Sequence, residues 1–96
     1  AFIDYQDQLP AWEAIVANPA TVAVPESPGA CAVLVYGAVT KITPGNFDLF
    51  LRYIERMEEE WQASFMINIA RNGEKSAIAL KSAKFRDWFV KNEDLL

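Results

Sequence analysis

Ninety-six residues, 52% of them apolar and 23% charged, suit a single globular domain and carry too much apolar material for intrinsic disorder. Thirteen acidic residues outnumber nine basic ones for a net charge of −4, and the basic ones are scattered along the chain. Binding to a nucleic-acid backbone or an anionic lipid surface draws on clustered Lys and Arg, so the composition argues against nucleic acid and against membrane as partners.

The chain has no histidine and one cysteine, Cys31. An intrachain disulfide, a metal cluster of nitrogen and sulfur ligands, and a Ser–His or Cys–His nucleophile are all excluded by those two counts. No apolar run approaches the roughly 18 residues a membrane-spanning helix needs. The first residues lack the basic-then-apolar order of a secretory leader. A cytoplasmic setting is therefore expected. The chain begins at Ala1, which fits either removal of an initiator methionine or a piece of a longer protein.

Residues Ala1–Gln8, with Phe2, Ile3 and Tyr5, suggest a short helix closed by Pro10, since the residue before a proline avoids helical dihedrals. A second short helix is predicted over Ala11–Ala17, with Trp12, Ile15 and Val16 on one side and Asn18-Pro19 as its end. Residues Ala20–Glu26 form an extended linker interrupted by Pro25. Ser27-Pro28 is a helix start, a capping hydroxyl followed by proline at the first helical position. The run Ala30–Val39 then has almost no polar face, as in a helix buried on all sides. A central strand would produce the same run. The cap and the lack of partner strands favour the helix.

Thr43-Pro44 repeats the start signal, and Phe47, Phe50, Leu51 and Ile54 recur at helical spacing. Asp48–Arg52 and Arg56–Glu60 stand four apart, where opposite charges support a helix. A break is expected near Glu58, with acids at the positive end of the next helix. That helix carries Trp61, Phe65, Met66 and Ile69 on one face and stops at Asn72-Gly73. A short helical turn over Glu74–Lys81 and a last helix capped by Ser82, with a Phe85–Trp88–Phe89 stripe, complete the chain. The fold expected is an all-α compact bundle of about five to six short helices around a central apolar helix, one domain over residues 1–96.

Catalytic, cofactor and metal residues are all predicted to be absent. Cys31, inside the apolar run, suits a packed small side chain better than a reactive thiol. Tyr36-Gly37-Ala38-Val39-Thr40-Lys41 lacks the second glycine of a phosphate loop, so Gly37 is better explained by a close helix crossing. Glu58-Glu59-Glu60 point in different directions on a helix and suit a solvated start better than a cation site. Arg52 and Arg56, one turn apart, could clamp a phosphate, but Asp48, Glu55 and Glu60 nearby favour a surface ion-pair ladder. Trp12, Trp61 and Trp88 lie on apolar faces that favour core packing. An exposed aromatic patch would fall around Trp12 or the Phe85–Trp88–Phe89 stripe. Candidate partner-binding residues are Trp12, Arg52, Arg56, Phe85 and Trp88.

A series of landmarks runs along the chain: Leu9-Pro10, Ile15, Asn18-Pro19, Val24-Pro25, Pro28, Gly37-Ala38 and Phe47. It continues through Tyr53-Ile54-Glu55-Arg56-Met57 and Glu60-Trp61 to Phe85-Arg86-Asp87-Trp88. In this order they resemble the C-terminal helical tail of MoxR-like AAA+ ATPases of bacteria and phages. The resemblance implies an ATP-driven remodeller, often paired with a von Willebrand factor A-type protein. The ATP-handling motifs of that family are absent from these residues, and Glu58 stands where the family usually has a proline. Two functions follow as expectations. One is a non-catalytic interaction domain making subunit or partner contacts. The other is a free-standing bacterial or phage adaptor or inhibitor that binds a protein complex. A protein partner or self-association is expected in both.

Overall fold

A computed structural model of the chain describes residues 9–95. The helix expected over Ala1–Gln8 lies outside the described residues. Within them the chain forms α1 (Trp12–Ala17), α2 (Pro28–Lys41), α3 (Phe47–Ile54), α4 (Glu59–Ala70), α5 (Gly73–Ala79) and α6 (Ala83–Lys91), then a 3₁₀ turn at Glu93–Leu95. No strand occurs among the described residues, so the apolar run is helix and the architecture is all-α.

Local signals explain most of the boundaries. The Ser27 hydroxyl accepts the Ala30 amide at 3.2 Å and Pro28 opens α2, as the Ser-Pro pair implies. The chain breaks after Ile54 and restarts behind Glu58, with Glu59 and Glu60 in the first turn of α4. Gln62 Nε2 closes this turn by donating to the carbonyls of Glu55 and Met57 at 3.2 and 2.8 Å.

Three expected signals act differently. Thr43-Pro44 makes a turn, because the Thr43 carbonyl accepts the amides of both Asn46 and Phe47 and delays the helix to Phe47. Asn72-Gly73 starts α5 instead of stopping α4: the Asn72 side chain accepts the Lys75 amide at 3.1 Å. A glycine stop uses left-handed dihedrals, and no described glycine has positive φ. Ser82 precedes α6 without capping it, since its hydroxyl donates to Asp48 Oδ1 at 3.0 Å.

The core lies where α2 packs on α4 and α3 packs on α1 and α4. Ile15, Leu34, Val35, Phe50, Ile54, Phe65, Ile69 and Phe85 are fully or almost fully buried. Each such side chain contributes about 1.5–3 kcal/mol through removal from water. Phe47 joins the halves, stacked on Phe65 at 6.3 Å and edge-on to Phe85 at 6.1 Å between ring centroids. Lys75 reaches back from α5 to the carbonyls of Thr40 and Ile42 at 3.3 and 3.1 Å, satisfying the end of α2. The Cα radius of gyration is 13.0 Å, the size of a close-packed domain of this length.

The apolar helix α2 is central but not buried all round. Its inner face carries Ala30, Cys31, Leu34, Val35, Ala38 and Val39, while Val33 and Tyr36 remain 41% and 61% exposed. A domain this small has too little interior to surround a helix.

Candidate protein-interaction surfaces

The five residues singled out in the sequence separate in space. Trp12 is half-buried, its ring 6.0 Å from that of Phe50 and packed over Gly37. A Cβ at Gly37 would stand 2.7 Å from the Trp12 ring, so the glycine is what lets α1 approach α2. Phe85 is fully buried and belongs to the core, because α6 turns this residue inward beneath Phe47. Trp88 is half-buried and lines a cleft of about 530 Å³ with Leu51, Met66, Glu55 and Lys84. Arg52 is exposed on α3.

Arg56 corrects the expected ion-pair ladder. One nitrogen of its guanidinium donates to the carbonyls of Pro19 and Val22 at 2.9 and 2.7 Å, and its charge lies 5.8 Å from the centre of the Tyr53 ring. Tyr53 donates to the Ala23 carbonyl at 2.8 Å. Together they clamp the extended linker, whose carbonyls have no neighbouring strand to pair with. Burial pushes the Tyr53 phenol up to about 12, with Arg56 opposing the shift. Asp48 serves Ser82, and the ion pair found among the described residues is Lys84–Glu55 at 3.1 Å. That pair is exposed and contributes about 1 kcal/mol at most.

Two further surfaces offer grooves to a partner. At the α1–α2 edge, Leu9, Pro10 and Trp12 face Val33 and Gly37 across a groove of about 530 Å³. Tyr36, one helical turn from Val33, extends the apolar character of this edge. The second surface is a cleft of about 380 Å³ between the linker, the start of α2 and the start of α4. Prolines 25 and 28, Met57 and Trp61 supply its apolar lining. Glu26, Glu58 and Glu60 are its acids. Cys31 lies at its base and donates to the Pro25 carbonyl at 3.3 Å. Burial, then the Glu58 and Glu60 carboxylates, push the Cys31 thiol up from its usual range, which disfavours the nucleophilic thiolate. No group of three or more acidic or cysteine residues is arranged to hold a metal ion among the described residues.

Sequence reasoning did not find Tyr36 or Val33, since their composition matched the buried side of the same helix. It assigned Trp61 to the core, where the structure leaves it half-buried at a cleft. No helix among the described residues is long and apolar enough to cross a membrane. Comparison with protein families, with curated proteins and with solved structures returns no match to this chain.

Proposed function

We propose that this chain is a non-catalytic helical domain that docks a protein through the apolar edge between α1 and α2. The observation that carries the reading is the exposure of Val33 and Tyr36 beside the groove under Leu9 and Trp12, on a helix whose opposite face is buried. Large apolar side chains grouped at a groove on a small acidic domain favour contact with another apolar surface. The resemblance to the MoxR-like tail adds a context, in which the edge would meet a neighbouring ATPase subunit or its companion protein. The support for that context is the order of short motifs along the chain. Within this domain the Tyr53 and Arg56 part of the series has a structural use in holding the linker.

A photo-crosslinking residue at position 36, compared with one at the exposed position 71 on the far end of α4, tests the docking edge in a bacterial host. A discrete crosslinked species from position 36 alone is expected, and Val33→Ser should diminish it. Tyr36→Ser should change unfolding free energy by no more than about 0.5 kcal/mol, because the side chain is largely exposed. Equal crosslinking from both positions, or none from position 36, removes this reading.

A further inference from the structure

We propose that residues 1–8 of this chain fold back over the α1–α2 edge and cover it until a partner displaces them. The contact stands on its own observations, and only its regulatory meaning rests on docking at this edge. Leu9 and Pro10 line the groove with Val33 and Gly37, so the preceding residues join the described structure at the groove itself. Phe2, Ile3 and Tyr5 make three of those eight residues large and apolar, and none of the eight is basic. Across the groove, Val33 and Tyr36 stand 41% and 61% exposed on a helix whose other face is core. An apolar segment and an apolar edge thus share one attachment point.

Length and charge favour this occupant. Eight residues at about 3.3 Å each span up to about 26 Å, against the roughly 12 Å that α2 rises from Val33 to Lys41. The segment is therefore long enough to lie along the exposed face. Its charges are Asp4 and Asp7. Lys41 is exposed at the end of α2, forms no ion pair among the described residues, and lines the hollow on the other side of Trp12. Glu13 lines both hollows, and Lys41 offsets it, so the edge does not repel an acidic segment. A segment attached without a spacer has an effective concentration on the order of millimolar, so a weak contact forms in cis ahead of one with a second molecule. Ordering the segment costs conformational entropy of the same order as the burial of its side chains returns, which leaves the cover displaceable.

The test follows the Val33 methyl and Tyr36 ring resonances of the whole chain by NMR in the presence of a neutral gadolinium chelate. Phe2→Ser combined with Ile3→Ser should raise their paramagnetic relaxation at least about twofold by shifting the segment off the edge. Val90, 68% exposed on α6, should stay unchanged as the control. In the unsubstituted chain, cross-relaxation between the Phe2 ring and the Val33 methyls should persist on dilution, a readout that needs no variant. Relaxation unmoved by the double substitution overturns the proposal even where position 36 crosslinks to a partner. Phe2–Val33 contacts found only between differently labelled copies overturn it as well, and make a second molecule the occupant. A twofold rise without crosslinking from position 36 supports the cover while removing the docking reading. Where both hold, crosslinking from position 36 should be stronger in the double variant.

Discussion

Helix α3 and the strap formed by residues 9–27 are held in different ways. In α3, Phe47, Phe50, Leu51, Tyr53 and Ile54 are all buried, so its stability is spread over many apolar contacts. The strap is a six-residue helix and an extended segment with one fully buried large side chain, Ile15; partly buried Leu9, Trp12, Val16, Val22 and Val24 pack against the core, and hydrogen bonds from Arg56, Tyr53 and Cys31 hold the extended part. Distributed burial resists any single loss until a large side chain is removed. Point attachment can release one segment while the remainder stays folded.

Phe50→Ala attacks the distributed side and has the largest expected effect, about 3–5 kcal/mol of unfolding free energy by denaturant titration. Because Phe50 also supports Trp12, the loss should appear in every helix. A measured cost below about 1 kcal/mol would erase the distinction between the two regions. Gly37→Ala should cost about 1–3 kcal/mol by forcing Trp12 from its seat. Hydrogen exchange should then speed up in α1 ahead of α3 and α4, and uniform acceleration would place the strap within the cooperative core.

Tyr53→Phe should cost less than either of these, about 0.5–1.5 kcal/mol, from the hydrogen bond lost at the Ala23 carbonyl. It also sharpens the comparison through pH. The folded pKa is raised to about 12 from the usual 10, so the folded state holds its proton longer than the unfolded chain. This contribution is complete below pH 10 and is lost as pH rises through about 12. Parallel denaturation series should show a shallower decline over that interval in the phenylalanine variant.

The contrast also marks what the sequence made legible. Helices α2, α3 and α4 were readable because their periodicity and caps are local, and Glu58 was correctly placed at a break. The turn at Thr43-Pro44 and the start at Asn72-Gly73 were misassigned because the same residue types serve turns, caps and stops. Arg56 was judged against neighbours four residues away, while its acceptors lie 34 and 37 residues back along the chain. The aromatic stripe of α6 was visible, but periodicity could not show that Phe85 alone among its three rings would be fully buried. The cleft at the linker was hidden for a related reason: Glu26 and Glu60 line one cleft only in the folded chain, where Tyr53 and Arg56 hold the linker.

The position of Cys31 gives the strap a chemical reporter already present in the chain. Its sulfur is nearly inaccessible and hydrogen-bonded to Pro25, while the rest of its helix belongs to the stable interior. Release of the linker removes that hydrogen-bond partner and widens the cleft above the sulfur, so the pace of alkylation by a small thiol reagent should rise with that excursion.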